Sequence, residues 1–196
     1  MTYVIATNNE GKLNEMRVIL SKLGIEAVSL ADVELDINVD ETGVTFKENA
    51  LLKAKAVCDA TGMPAIADDS GLEIDALDGQ PCVFTSSFGG DGLDERGRCK
   101  YLLQKMANVE QRCAKFVSTI ACVFPDGKTI IAEGECRGEI AASPRGAGGF
   151  GYDPVFIAEG ANRTMAELSD QEKNAVSHRG AALRNFYQIL RESGSN

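Results

Sequence analysis

Two adjacent carboxylates, Asp68 and Asp69, are the side chains of this sequence best suited to chemistry. They follow the apolar run 65–67 and precede Ser70 and Gly71. We expect a buried strand that ends at the two acids, a tight turn, and a second strand that leads away. Neighbouring side chains of an extended chain point to opposite faces, so one aspartate can face an open site while the other braces the loop. Crowded carboxylates favour divalent-metal binding or general-base catalysis, although an acidic turn between strands explains this stretch equally well.

The net charge of the chain restricts its partners. At −9 over 196 residues, it argues against a protein held to nucleic acid by bulk electrostatics. An anionic small ligand would then need local cations or a metal ion. The start of the sequence predicts no signal peptide, and no apolar run is long enough to predict a membrane span or a membrane partner. The six scattered cysteines, without a CxxC pair, favour reduced thiols in a cytoplasmic protein.

A second candidate site lies at the start of the sequence. Residues 2–7 predict a strand, and residues 13–23 carry apolar side chains at helical spacing. The polar turn between them ends at Lys12, in the first turn of the helix, where a lysine opposes the helix dipole. Free N–H groups and a lysine at a helix start predict a phosphate site. An ordinary turn with a solvated lysine is the more common case.

A third candidate combines an acid with a lysine. Thr45 and Glu48 form a capping box, which predicts a helix that ends at Gly62. Glu41 stands just before this helix, and Lys53 lies on it, where it can reach a site or remain solvated.

A glycine-rich stretch, residues 146–156, contains Phe150 and Tyr152 outside any core pattern. An aromatic side chain on such a loop can stack on a nucleobase, whereas a structural turn with Phe150 in the core is the plainer alternative. Further along, Ser169 and Ser177 predict two helix starts. Three basic residues cluster at this junction, either at a site or as solvated charges: Lys173, His178 and Arg179.

The remaining pattern predicts one domain, residues 1–196, built as two closely joined lobes. Residues 25–30 predict a strand and residues 93–107 a helix, while 113–124 and 128–136 predict a hairpin. A strand-rich half that follows an alternating half indicates a mixed sheet.

Five stretches together resemble the inosine triphosphate pyrophosphatase family, in that family's order and spacing. They are ATNNEGK, DETGVTFKENALLKA, PAIADDSGLEIDAL, GGFGYDPVF and ELSDQEKNAVSHRGAAL. The resemblance implies an α/β fold with a mixed central sheet flanked by helices and a nucleotide cleft between two lobes. It also implies Mg²⁺-dependent hydrolysis of ITP, dITP or XTP to a monophosphate and pyrophosphate, and a homodimer.

The resemblance further implies roles for individual residues. Asp69 would accept the proton of the attacking water, and Glu41 and Asp69 would bind Mg²⁺ or its waters, with Asp68 close by. The substrate-binding residues are Thr7, Asn8, Asn9, Glu10, Gly11, Lys12, Lys53, Ser70, Phe150, Gly151, Tyr152, Asp153, Lys173, His178 and Arg179. The residues from Thr7 to Lys12, with Lys53, would hold the phosphates, and those from Phe150 onward would enclose the purine. A donor to the six-oxygen of the base, with Arg179 as one candidate, would reject adenine.

One segment departs from the family pattern. Ser87 stands where bacterial relatives carry arginine, and Cys82 stands where they carry glycine. Two alternatives therefore stay open: a related pyrophosphatase with another base preference, and a nucleotide-binding module without turnover.

Overall fold

The computed structural model describes residues 1–90 and 92–193. The strands and α-helices follow one another along the chain as β1 (Thr2–Ile5), α1 (Glu10–Lys22), β2 (Glu26–Ser29), α2 (Phe46–Thr61), β3 (Ala65–Ile74), α3 (Glu95–Lys105), β4 (Cys113–Val123), β5 (Thr129–Ile140), β6 (Phe156–Ala158), α4 (Asp170–Val176) and α5 (His178–Ser193).

The strands of the described residues form one mixed sheet in the order β2-β1-β3-β4-β5-β6. Strand β1 runs parallel to β2 and β3, with Val4 opposite Val28 and Ala65, whereas β5 and β6 are antiparallel. The predicted α/β class with a mixed sheet is confirmed. The nucleotide cleft stays a prediction.

The chain divides into two compact units. The first comprises Met1–Asp69, Ser118–Gly134 and residues 178–193, and the second comprises Ser70–Val117 and Glu135–Ser177. Each unit has a buried core of its own. In the first unit, Met16 and Leu20 of α1 pack with Phe186 of α5. In the second, Leu102 of α3 packs with Phe156 of β6. Across residues 1–90 and 92–193, no helix is both long and apolar enough to cross a bilayer.

Two helix starts have the geometry predicted from the sequence. Thr45 and Glu48 form a reciprocal capping box at α2, which ends at Gly62 in a left-handed conformation, φ 66°. Ser169 and Glu172 form a second capping box at α4. Local sequence therefore determines where these helices begin.

The predicted turn at the two aspartates is wrong. Strand β3 continues for ten residues, through Asp68, Asp69, Ser70 and Gly71. Aspartate, serine and glycine favour turns only through local hydrogen bonds and backbone freedom. Here Lys12 and Arg179 bind Asp68, while Lys53 and Asn49 bind Asp69. These partners come from other elements, and the backbone stays extended.

Candidate active site

Asp68 is a fully engaged carboxylate in the first unit. It is 1% exposed, and its oxygens lie 2.8 Å from Lys12 Nζ, 3.1 Å from Arg179 Nη2 and 2.5 Å from Ser118 Oγ. Burial alone would raise the pKa of Asp68, but Arg179 and Lys12 outweigh burial and hold it well below its ordinary value. Asp68 is therefore an ionised anchor for two cations.

Arg179 lies in this network at the start of α5. Its guanidinium is 1% exposed and bridges Asp68 of β3 and Glu15 of α1. Burial would lower the pKa of Arg179, but the two carboxylates raise it. The sequence predicted Arg179 as a residue that closes over the base. The structure brings it to two carboxylates of the first unit, and its role toward the base stays a prediction.

Asp69 has a different environment from its neighbour. Its Oδ1 lies 3.2 Å from Lys53 Nζ, and its Oδ2 accepts a hydrogen bond from Asn49 Nδ2 at 3.2 Å. Lys53 Nζ also lies 3.0 Å from Glu41 Oε1. Burial raises the pKa of Asp69, and the nearby lysines offset this only in part. A carboxylate with a raised pKa is a better proton acceptor than an ordinary aspartate.

Glu41 and Asp69 fit the needs of a magnesium ion. Their oxygens converge on one positive charge, the ammonium of Lys53, at 3.0 and 3.2 Å. Magnesium in nucleotide sites uses one or two carboxylates, with water and substrate phosphates as the other ligands. Among the described residues, the structure shows no group of three or more His, Cys, Asp or Glu side chains arranged to hold a metal. A site of two carboxylates that substrate completes is consistent with this finding.

The turn before α1 uses its polar side chains to fix its own backbone. Asn9 caps α1 by accepting from the Lys12 N–H at 2.9 Å, and Thr7 Oγ1 accepts from the Asn9 N–H at 3.2 Å. Asn8 donates to the Ile37 carbonyl at 3.0 Å. These bonds fix the start of the helix that carries Lys12, so its ammonium reaches Asp68. The next two predicted phosphate ligands, Glu10 and Gly11, are the first residues of α1.

In the second unit, the glycine-rich stretch 146–156, here called the glycine loop, carries an aromatic ring next to a buried ion pair. Lys173 Nζ lies 4.5 Å from the Phe150 ring centroid and forms a buried ion pair with Asp153. Asp153 also accepts from the Phe150 N–H at 2.8 Å. A Cβ on Gly149, φ 68°, would lie 2.1 Å from the Asp153 carboxylate, so this position requires glycine.

Tyr152 belongs to the core of the second unit, so the prediction that it lies outside a core pattern is wrong. It is 3% exposed, and its hydroxyl donates to the Thr85 carbonyl at 3.0 Å. Burial raises the pKa of this phenol. The carbonyl of the preceding residue, Gly151, accepts from the Cys99 thiol at 3.3 Å. These two bonds connect the loop to Thr85 and to Cys99 of α3.

Comparison with known proteins decides the family. The sequence model of the Ham1 family matches residues 3–189. The chain belongs to the Ham1 family. Proteins named dITP/XTP pyrophosphatase from Streptomyces avermitilis and Aquifex aeolicus are 47% and 48% identical over 193 and 201 residues, with 96% and 97% of each chain covered. The solved Ham1 protein of Staphylococcus aureus is 38% identical, with a TM-score of 0.86 over 98% of this chain and 100% of that one.

In this Ham1-family chain, the predicted site residues divide between the two units. Those of the first unit are Thr7, Asn8, Asn9, Glu10, Gly11, Lys12, Glu41, Lys53, Asp68, Asp69, His178 and Arg179, and those of the second are Ser70, Phe150, Gly151, Tyr152, Asp153 and Lys173. Their roles toward substrate stay predictions.

Sequence reasoning missed four polar residues of these networks. Glu15, Asn49 and Ser118 contact the site carboxylates or Arg179, and Thr85 holds Tyr152. Glu15 stands three residues after Lys12, a spacing that puts both on one helix face and could have identified it. Asn49 stands four residues before Lys53 on α2, which gives the same signal, whereas the sequence pattern offers none for Ser118 and Thr85.

Proposed function

We propose that this chain hydrolyses non-standard purine nucleoside triphosphates, namely ITP, dITP and XTP, to the monophosphate and pyrophosphate. The observation that carries the proposal is Asp69, a buried carboxylate with a raised pKa that shares Lys53 with Glu41. The name dITP/XTP pyrophosphatase, borne by relatives 47% and 48% identical, supports the same chemistry.

The charges of the first unit suit a triphosphate only if further cations arrive with it. Four carboxylates, those of Glu15, Glu41, Asp68 and Asp69, face three cations, those of Lys12, Lys53 and Arg179. The cluster therefore has one excess negative charge before an anionic substrate enters. Mg²⁺ held by Glu41 and Asp69 would neutralise phosphate charge and polarise the phosphoryl oxygens.

In the proposed reaction, water attacks the α-phosphorus in line with the departing pyrophosphate. Asp69 accepts the proton of this water, a task favoured by its raised pKa. Lys12 and Lys53 stabilise the negative charge of the phosphates. Asp68 takes no proton, because two cations keep it ionised, and its task is to hold Lys12.

In the proposed complex, the purine is bound by the glycine loop of the second unit. Phe150 stacks on the base, and Lys173, which lies at that ring, donates to the six-oxygen. Adenine would leave this donor without an acceptor, and such a mismatch costs far more than a lost apolar contact. Lys173 is a better candidate donor than Arg179, because one carboxylate binds Lys173, at the Phe150 ring, whereas two carboxylates of the first unit bind Arg179.

The remaining parts of the proposal are Mg²⁺ as the metal, a homodimer and a cytoplasmic location. Support for the metal comes from the two carboxylates at Lys53, and for the location from six free cysteines.

The test is pyrophosphate release from ITP, XTP, ATP and GTP, with Mg²⁺ and with a chelator. We expect Mg²⁺-dependent release from ITP and XTP, with much slower release from ATP, which lacks the six-oxygen, and from GTP, whose two-amine the pocket must reject by crowding. Equal release from all four would reject the proposed base selection. Binding of ITP without release, in folded protein, would favour the nucleotide-binding module.

A further inference from the structure

One buried amide side chain connects the two carboxylates proposed to hold the metal. Asn49, on α2, is 3% exposed. Its Nδ2 donates to Asp69 Oδ2 at 3.2 Å, and its Oδ1 accepts from the Gly43 N–H at 2.8 Å. Gly43 stands two residues after Glu41 in the segment that leads into α2. Asn49 thus contacts Asp69 directly and reaches Glu41 through two residues of backbone.

The partners of Asn49 determine which way its amide points. A backbone N–H can only donate, and an ionised carboxylate can only accept. The amide oxygen must therefore face Gly43 and the amide nitrogen must face Asp69. Asparagine supplies an acceptor and a donor at these two places, whereas an ionised aspartate lacks the donor and leucine lacks both.

The segment before α2 fits closely against the helix start. A Cβ on Gly43 would lie 2.6 Å from Asn49 Oδ1 and 2.6 Å from Glu48 Cβ, so any larger residue would displace the segment. Glu48 Oε2 accepts from the Val44 N–H at 2.7 Å and from the Thr45 N–H at 3.2 Å. The backbone leading to Glu41 is therefore fixed to the helix that also carries Lys53.

We propose that Asn49 is a positioning residue that aligns Asp69 with Glu41. This inference rests on the proposed function, since alignment matters because the two carboxylates must meet one metal ion and one water. One Asp69 oxygen is oriented by Asn49 and the other by Lys53. Removal of a group that orients a metal ligand typically lowers metal affinity or activity by about 10- to 100-fold.

The first measurement uses Asn49→Ala with ITP and Mg²⁺. We expect kcat to fall by about 10- to 100-fold, with KM changed by much less, because Asn49 contacts the proton acceptor and is not placed at the phosphates or the base. Asn185→Ala is the matched control. Its amide donates to the Glu133 carbonyl at 2.8 Å in the same unit, and its loss should leave kcat unchanged.

The second measurement does not depend on turnover. Mn²⁺ binding is followed by electron paramagnetic resonance in the presence of an α,β-imido analogue of ITP, which resists cleavage at the reacting bond. We expect Asn49→Ala to weaken Mn²⁺ binding by about 10-fold or more relative to wild type and Asn185→Ala.

The third measurement separates alignment from general loss of stability. Gly43→Ala displaces the partner of the same amide, so its kcat should fall in the same way. The double variant should then lose little more than either single variant, because residues of one network are not additive. Independent losses that multiply in the double variant would contradict the shared contact.

Wild-type turnover tests the proposed function, whereas the variants test the positioning role of Asn49. If wild type releases no pyrophosphate, the proposed function fails, and the Mn²⁺ measurement still decides the inference. If Asn49→Ala retains wild-type kcat or wild-type Mn²⁺ affinity, Asn49 is not a positioning residue. If Asn49→Ala fails to fold, Gly43→Ala with the same two measurements gives the answer.

Discussion

The carboxylate cluster of the first unit and the glycine loop of the second unit hold their cations in different ways. In the cluster, Lys12, Lys53 and Arg179 come from three helices and converge on acids of one strand. In the loop, the acid and the ring are three residues apart, and one lysine binds both. Regular elements fix positions more firmly than loops do. We therefore infer that the cluster is the better place for the phosphate chemistry proposed above, and the loop for the proposed recognition of the base.

Within the cluster, the two neighbouring aspartates are themselves a contrast. The pKa of Asp68 lies well below its ordinary value because two cations and a hydroxyl bind it, whereas burial raises the pKa of Asp69. Adjacent positions on a strand face opposite ways, so one sequence step separates the ionised Asp68 from Asp69, the proposed base. Substitution of each should therefore have a different consequence.

The largest effect is expected for Asp69→Asn. Removal of the proton acceptor should lower kcat by about 10²- to 10⁴-fold, the usual worth of a general base. Asparagine keeps one acceptor oxygen where Asp69 has two, so it retains the contact to Lys53 or to Asn49 but not both, and the loss of stability should be smaller than that of Asp68→Asn. The measurement is steady-state ITP hydrolysis beside thermal unfolding. A variant that retains the full rate would refute the assignment of Asp69.

The neighbouring substitution, Asp68→Asn, should act mainly on the fold. It leaves Lys12 and Arg179 without the charge that compensates their burial, and breaking such a pair costs about 3 to 5 kcal/mol. Chemical denaturation measures the loss in unfolding free energy, and Asp69→Asn serves as the matched control. If the two variants were equally stable, the contrast between anchor and base would be wrong.

A smaller effect is expected at the glycine loop. Phe150→Ala removes a stacking surface, worth about 1 to 3 kcal/mol per base. We expect KM for ITP to rise by about 5- to 150-fold while kcat falls much less, since the reacting phosphate is not at this ring. Steady-state kinetics measure both, and Phe84→Ala, which alters a ring 68% exposed, is the control. A loss confined to kcat would contradict base binding at Phe150.

Local sequence patterns predicted much of the fold and failed where tertiary contacts compete with them. The capping boxes at Thr45 and Ser169 depend on residues three apart, and both are present. The turn at Asp68 and Asp69 was predicted from the same kind of local preference, yet β3 continues through it. Cations distant in sequence stabilise these acids in extended backbone, and no local pattern reveals such partners.

The candidate site shows the same limit. Lys12 could be singled out because a lysine in the first turn opposes the helix dipole, and it does have a special partner, Asp68. Ser118 has ordinary surroundings in the sequence and acquires its partner, Asp68, only in the folded chain. The resemblance assigned Arg179 to the base, which stays a prediction, but no sequence pattern revealed the two carboxylates that bind it.

The smallest effect concerns how often the glycine loop and the first unit open locally. The reaction rates of buried thiols in the two regions measure this opening. Burial raises the pKa of Cys99 to about 11 and that of Cys122 to about 12, so at pH 8 both are almost entirely protonated and unreactive. Cys99 donates to the glycine loop at Gly151, whereas Cys122 lies in the core of the first unit. Cys113 is exposed and should react first.

If the loop opens more readily than the first unit, Cys99 should react with a thiol reagent after Cys113 but before Cys122. Mass spectrometry of peptides labelled over time gives the three rates, and Cys113→Ser should leave ITP turnover unchanged as a control. Rates for Cys99 and Cys122 that are equal once their different pKa values are allowed for would mean that both regions are equally rigid. The glycines would then shape the loop without loosening it, and base selection would depend on a preformed pocket.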